Sequence, residues 1–388
     1  MKFTHNQPTK IYFGKGQVNL IPEIIKEFGN SVLLIGPKMN EFIEPMFNMI
    51  ENLLVSQEIN VIKYLEVEPN PSTITVDNAL NLANNNNVDV VLAVGGGSAM
   101  DVGKIVALCY GKNNIDWKEM FEKYSDFDKI YPKLGNNKKS FIAVPTTAGT
   151  GSQCTQASVI TDSDTKMKLT IFHQDNFPNY AVIDPNLAMT LPLNITKHTA
   201  FDAFTHAFES YIRNDSNIIC EMLSISAIEA IIEYLPKVLK DNKLEFREKL
   251  SMSDTFGGVA LSNCGACLPH PLAEVIGSFI TKISHGQSLA LVYPTFLKYT
   301  SYKYTKKYAK VCRLFDKTYV NKSDEECAND FHIVLTNWLN DIEFNQSLHD
   351  YTQDSNVISE IQNFSLWDHL KMEEPKVIRD IVNEICKI

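Results

Sequence analysis

At 388 residues the chain is long enough for two domains and a sizeable core, so neither a metal nor disulfides are needed merely to hold it folded. Hydrophobic residues at 44% and charged residues at 21% are ordinary for a globular protein, and a net charge of −10 argues against nucleic acid as a partner, because phosphate binding needs a basic surface. No apolar stretch approaches a membrane span, the opening MKFTHNQPTK lacks the apolar core of a secretory signal, and eight cysteines without a framework of spacings read as reduced thiols, so a cytoplasmic protein with no membrane contact is expected.

The first half alternates strand and helix patterns. Residues 32–35 are an apolar run closed by Gly36-Pro37, and 61–67 are a second candidate strand. Ser72 is placed to cap a helix running to about residue 83, and the asparagine run 84–87 reads as the loop that closes it. Residues 90–94 are apolar throughout, as in a parallel strand buried on both faces, and lead through three glycines into a helical pattern over 99–109. The polar stretch 112–139 reads as a surface excursion, and 141–144 is a further strand stopped by Pro145. This order implies βαβ units and an open, mostly parallel sheet. From about residue 196 apolar residues recur at helical spacing, as over 200–212, 222–239 and 326–339. The expectation is an α/β domain at 1–190 followed by an all-helical domain at 191–388, with Asp184-Pro185 and Leu191-Pro192 punctuating the join.

Two polar loops fall at strand ends. Gly95-Gly96-Gly97-Ser98 follows a buried strand and opens a helix, where backbone N–H groups and the helix dipole suit a pyrophosphate; a tight strand-to-helix turn is the alternative. It matches neither a P-loop nor the G-x-G-x-x-G fingerprint, since Ile105 stands where a P-loop needs Ser or Thr. Pro145-Thr146-Thr147-Ala148-Gly149-Thr150-Gly151-Ser152 offers hydroxyls and glycines at the next strand end, and the two loops together favour a dinucleotide crevice.

Asp202 and His206 lie four apart in a helical pattern, which puts carboxylate and imidazole on one face, a common pair for a divalent metal. Hydrogen-bonded structural residues are the alternative, and His198, four before Asp202, competes for that face. Downstream, His270 sits beside Pro271, which suits the first position of a helix, and His285 precedes Gly286. One aspartate and three histidines can satisfy a metal and leave room for a substrate oxygen.

In order and approximate spacing over nearly the whole chain, these blocks resemble the signatures of the iron-containing (group III) alcohol dehydrogenases. The residues that carry the resemblance are Gly95-Gly96-Gly97-Ser98-Ala99-Met100-Asp101, the Pro145–Ser152 loop, Asp202-Ala203-Phe204-Thr205-His206-Ala207-Phe208-Glu209, Leu268-Pro269-His270 and Ser284-His285-Gly286. Glu68-Pro69-Asn70-Pro71 and Val182-Ile183-Asp184-Pro185 add to it. The resemblance implies an N-terminal Rossmann-like domain and a C-terminal helical domain, an architecture like that of dehydroquinate synthase, with a cleft between them. By motif position Asp202, His206, His270 and His285 would bind Fe(II), alternatively Zn(II). Asn70, Gly96, Gly97, Ser98, Asp101, Thr146, Thr147, Thr150 and Lys168 would line the cofactor site. The implied activity is hydride transfer between NAD or NADP and a small alcohol or aldehyde, in a homodimer or larger homo-oligomer.

The chain departs from the family pattern at two places. The interval from His270 to His285 is one residue longer than in many relatives, and Glu274 stands where a further histidine is common. Glu274 is expected to border the substrate cleft and relay a proton; a solvent-facing glutamate at a helix start is the alternative. Where NAD-specific relatives tend to carry an acidic residue after the 32–35 strand, this chain has Gly36-Pro37-Lys38, so Lys38 is expected to attract a 2′-phosphate and to favour NADP. Rival readings are a metal- and NAD-dependent lyase on the same scaffold, which would need a basic cluster that the motifs do not show, and a non-catalytic sensor using Cys264-x-x-Cys267 as its redox element.

Overall fold

A computed structural model describes residues 2–134, 137–368, 370 and 372–387. Among the described residues eight strands occur in chain order: β1 (Lys10–Phe13), β2 (Ser31–Pro37), β3 (Asn60–Val67), β4 (Val90–Gly95), β5 (Ser140–Pro145), β6 (Ala157–Thr161), β7 (Lys168–Phe172) and β8 (Tyr180–Ile183). Six of them form one sheet in the order β1-β8-β5-β4-β2-β3, and every pairing in it is parallel. β6 and β7 form a separate antiparallel hairpin. Between these strands lie α1 (Ile21–Lys26), α2 (Glu44–Val55), α3 (Thr73–Asn85), α4 (Gly97–Cys109) and α5 (Trp117–Lys123).

The apolar runs are continuous because both faces of the sheet are covered. Alternate residues point opposite ways. Val32, Leu34, Val90, Leu92 and Val94 pack with Ile24 of α1 and Phe47 and Ile50 of α2. Leu33, Ile35, Val91 and Ala93 pack with Val76 and Leu80 of α3 and Val102 and Val106 of α4. The order reverses between β2 and β4. The chain leaves β2 towards β3 on one side and returns to β4 on the other, so a crevice opens at the carboxyl ends of β2 and β4.

After β8 the described residues carry helices: α6 (Leu193–Ile212), α7 (Ile218–Lys240), α8 (Leu244–Cys264), α9 (Pro269–Phe279), α10 (His285–Thr300), α11 (Thr305–Phe315), α12 (Asp324–Asp341), α13 (Ser355–Gln362) and α14 (Pro375–Ile385). Their core is rich in aromatics, with Phe201, Phe204 and Phe208 of α6 packed among Tyr293, Tyr308 and Phe331.

Three local expectations change. The helix expected from residue 200 begins at Leu193, because Pro192 supplies its N-cap position and the polar residues of the first turns lie on a partly exposed face. The stretch 112–139 is more than a surface excursion: it contains α5, and Ile115, Met120, Tyr124 and Tyr131 are buried against the α3–α4 side of the sheet. Gly135 and Asn136 of that stretch lie outside the described residues. The helix carrying His270 starts at Pro269, with Leu268 as N-cap, so His270 sits inside the first turn and does not cap it.

Candidate metal centre and cofactor crevice

Asp202, His206 and Glu209 occupy one face of α6, with spacings of four and three. His270 comes from the first turn of α9, and His285 is the first residue of α10. Asp202 Oδ1 lies 3.6 Å from His206 Nε2, 3.7 Å from His270 Nε2 and 3.6 Å from His285 Nε2. These gaps are too long for hydrogen bonds. They suit atoms that share an ion, since ligands about 2.1 Å from a tetrahedral metal stand about 3.4 Å apart. Asp202 Oδ1 and His270 Nε2 are buried and without a hydrogen-bond partner among the described residues, a costly state unless a cation meets them. Ligand atoms of Asp202, His206 and His270 all fall within 4.8 Å of one another. His285 stands on the open side, its side chain 31% exposed against 9% or less for the other three.

The imidazoles are held by their other nitrogens. His206 Nδ1 lies 3.0 Å from the Gly149 carbonyl, and His270 Nδ1 lies 2.8 Å from Glu209 Oε1, which leaves both Nε2 atoms turned to the centre. Glu209 is fully buried and also accepts from the Tyr293 hydroxyl at 2.8 Å and the Cys267 N–H at 2.6 Å. Burial works against ionisation of Asp202, but attraction to His206, His285 and His270 outweighs it and holds the carboxyl at about 2. Burial pushes His206 down and His285 down to about 3, which favours the uncharged imidazole that metal binding needs. Burial also opposes charge on His270, yet Glu209 and Asp202 raise it to about 10; an incoming cation would take the place of that proton. His198 is not in this group. Its Nδ1 lies 3.0 Å from Ser284 Oγ and its ring stacks on Phe344.

The two polar loops lie side by side, with Gly95 in register with Pro145 and the Thr146 N–H donating to the Gly95 carbonyl at 2.9 Å. Gly96 is the N-cap of α4, and Gly97 and Ser98 form its first turn. Thr146, Thr147 and Thr150 are partly exposed beside them. Asp101 is instead engaged internally: it accepts from Ser152 Oγ at 2.7 Å and the Val159 N–H at 3.0 Å. Lys104, buried on the same helix, donates to Ser152 Oγ at 2.8 Å and the Ala157 carbonyl at 2.7 Å. Asp254 of α8 grips the loop from the other side, accepting from the Gly151 N–H and Gln153 Nε2, each at 2.7 Å. Gly151 has φ 59, and a β-carbon there would meet Gly258 Cα at 2.4 Å, so only glycine allows this contact between loop and α8. Asn70 is exposed at φ 55 near β6, where its carbonyl accepts from Thr161 Oγ1. Lys38 is exposed just past β2, and Pro37 before it neighbours Gly95.

Lys168 of β7 and Glu274 of α9 face a cavity of about 320 Å³ lined also by Leu169, Pro271, Val275 and Phe364. The pair is electrostatically coupled: burial lowers Lys168 against the pull of Glu274, and burial raises Glu274 against His270 and Lys168. Glu274 is partly exposed where it borders this cavity. A larger cavity of about 440 Å³ is lined by Leu193, Lys197, Pro236 and Asp341 and by none of the candidate residues.

Sequence reasoning assigned no role to Glu209, Lys104 or Asp254. Glu209 was detectable as the third member of the Asp202–His206 stripe. The other two act through tertiary contacts and leave no local pattern.

The family model described as "Iron-containing alcohol dehydrogenase" matches residues 8–185, and that of the Fe-containing alcohol dehydrogenase family C-terminal region matches residues 196–387. The chain belongs to the iron-containing alcohol dehydrogenase family. It is 31% identical over 268 residues to an aldehyde-alcohol dehydrogenase of Streptococcus pneumoniae, covering 65% of this chain but 30% of that protein. With an NADPH-dependent butanol dehydrogenase of Clostridium saccharobutylicum it shares 31% identity over 315 residues, 81% of this chain and 77% of the relative. Among solved structures, an alcohol dehydrogenase of an archaeal halo-thermophile from a Red Sea brine pool superposes with a TM-score of 0.88 at 27% identity, covering 99% of each chain. Among the described residues, no helix is long and apolar enough to cross a membrane.

Proposed function

We propose that this protein is a metal-dependent, NAD(P)-linked alcohol dehydrogenase or aldehyde reductase, with Asp202, His206, His270 and His285 holding one divalent ion. The observation that carries the reading is the convergence of these four side chains, two of them with buried unpartnered atoms, on one point. The donor set of one carboxylate and three imidazoles suits Fe(II) or Zn(II). Such an ion supplies Lewis acidity towards a carbonyl or alkoxide oxygen, and a nicotinamide supplies or accepts the hydride.

The chain's own part is positioning and proton handling. Glu209 and the Gly149 carbonyl fix His270 and His206, and the Gly149 contact ties the candidate cofactor loop to the metal helix. Gly96, Gly97 and Ser98 offer the N-terminus of α4 to a pyrophosphate, with Asn70, Thr146, Thr147 and Thr150 beside it and Asp101 shaping the loop from behind. Lys168 and Glu274 flank the substrate side, where burial raises the Glu274 carboxyl beside the cavity and suits it to pass a proton.

NADP is the favoured cofactor, because Lys38 stands at the crevice and Gly36-Pro37 supplies no carboxylate; relatives of both NADPH- and NADH-dependent kinds occur. The domain division falls at 190/191, the assembly is a homodimer or larger, and eight unpaired cysteines fit a cytoplasmic setting. Replacing His206 by Ala tests the reading. Metal content and NADPH-dependent butanal reduction should disappear together, and a variant that kept full metal and full turnover would remove His206 from the site.

A further inference from the structure

Away from the metal candidates, the first turn of α7 meets the last turn of α8. Cys220 and Cys264, one on each helix, are buried and form a small apolar cluster with Ala260. The two thiols adjoin each other in this cluster. Cys264 Sγ lies 3.9 Å from Ser216 Oγ, beside Asn217, the N-cap of α7. Cys220 Sγ lies 3.9 Å from His5 Nδ1. Cys267, the other half of the Cys264-x-x-Cys267 pattern, is outside this cluster; its Sγ lies 3.5 Å from the Glu209 carbonyl oxygen. The partner of Cys264 therefore comes from a different helix, 44 positions earlier in the chain.

The two thiols are chemically unequal. A helix N-terminus and its N–H donors stabilise a thiolate. The proximity of Cys220, with Asn217 and Ser216, outweighs burial and the charge of Asp215 and lowers the Cys264 thiol. The same proximity, with burial, pushes Cys220 up. One sulfur is poised as nucleophile while the other keeps its proton. Their cover is the segment 2–9, which forms no helix or strand. It is fastened to α8 by hydrogen bonds of 2.7 and 3.0 Å between Asn6 and Asn263, and by Gln7 to the Cys154 carbonyl at 3.2 Å. A segment without helix or strand and with so few fastenings opens locally more readily than the helices beneath it.

We propose that Cys220 and Cys264 form a hydroperoxide-responsive dithiol that closes to a reversible disulfide. The Cys264 thiolate attacks the terminal oxygen of the hydroperoxide. The O–O bond breaks, the leaving oxygen takes a proton and departs as water or an alcohol, and Cys264 becomes a sulfenic acid. The Cys220 sulfur then attacks the Cys264 sulfur. The S–O bond breaks, and the hydroxyl leaves as water with the Cys220 proton. Two electrons pass from the two thiols to the peroxide, and a dithiol reductant reverses the change by exchange.

The test uses the full chain loaded with zinc, so that no iron reacts with peroxide, treated with hydrogen peroxide, alkylated and mapped by mass spectrometry. Two of the eight free thiols should disappear, a Cys220–Cys264 crosslinked peptide should appear, and dithiothreitol should restore both. In Cys220→Ser, Cys264 should accumulate as a sulfenic acid captured by dimedone. In Cys264→Ser, Cys220 should stay reduced at the same dose. A crosslink between another pair, loss of thiols without a crosslink, intact thiols at about tenfold excess peroxide, or oxidation of Cys220 in Cys264→Ser would each overturn the proposal. If either variant fails to fold, the parent's peptide map decides alone.

Discussion

Glu209 shows how one buried carboxylate can govern a site it does not enter. It has no exposed surface and accepts from His270 Nδ1, the Tyr293 hydroxyl and the Cys267 N–H. Held this way, it fixes the ring of His270 and raises its basicity as a ligand. Loss of such a support typically lowers metal affinity about 10- to 100-fold. Glu209→Gln should therefore weaken zinc binding by about that factor in a chelator competition, while Tyr293→Phe, which removes one neutral donor, should change it only a few-fold. Equal effects of the two variants would show that packing, and not the carboxylate, sets affinity. Glu274 lines the cavity that Lys168 also borders. Burial raises its pKa, with His270 and Lys168 opposing, so the acid form persists to higher pH than in water. A proton donor is spent as pH rises through its pKa, so aldehyde reduction should fall on a high-pH limb that belongs to Glu274. The same sign holds for stability: the contribution of a raised carboxyl is complete below its unfolded pKa and is lost as pH rises through the folded one. Glu274→Gln should flatten that limb of kcat/KM and, at pH above it, where Glu274 is ionised, improve the relative use of carboxylate-bearing aldehydes. An unchanged pH profile and substrate ranking would make Glu274 structural.

At the scale of elements, the site depends on how closely helix ends approach. His285 opens α10, and Gly286 beside it lies against α6, where a β-carbon would fall 2.1 Å from the His198 carbonyl oxygen. Backbone cannot give way as a side-chain tip can, so Gly286→Ala must displace the start of α10 and His285 with it. The expected cost is about 1–3 kcal/mol in thermal or denaturant unfolding, accompanied by weaker zinc retention. Normal retention at reduced stability would mean that His285 moves without being a ligand. Elements were legible where one physical cause dominated. Strands β2, β4 and β5 announced themselves because a sheet covered on both faces demands unbroken apolar runs. The β6–β7 hairpin went unread, since its strands are five residues each and mix polar with apolar side chains. Short α5 was hidden because its single fully buried residue, Met120, sits among charged neighbours.

For the whole molecule, the sheet edge and the helical half are joined at the site itself. Asp254 holds Gly151, the Gly149 carbonyl holds His206, and Arg247 of α8 reaches back to the Leu191 carbonyl at the join. The four candidate ligands could be picked from sequence because helical spacing and motif order mark them. The role of Asp101 could not, because its partners Ser152 and Val159 are brought to it only by the fold. Lys38 lies between these cases: its place after β2 was readable, and the strand order then sets it at the reversal point, where open parallel sheets bind dinucleotides. It is exposed and follows Pro37, which neighbours Gly95, with no acidic residue on Gly36-Pro37 to repel a 2′-phosphate. A hydrogen bond to a charged group contributes about 1.5–3 kcal/mol, or roughly 10- to 100-fold in affinity. Lys38→Glu should lower kcat/KM for NADPH by about that factor and leave NADH nearly unchanged, because only the former carries the phosphate. The difference should shrink as salt rises, since an exposed charge contact is screened. A parent enzyme that already prefers NADH, or a variant whose NADPH-to-NADH ratio does not move, would show that Lys38 does not meet the cofactor and that the preference is set elsewhere along the crevice.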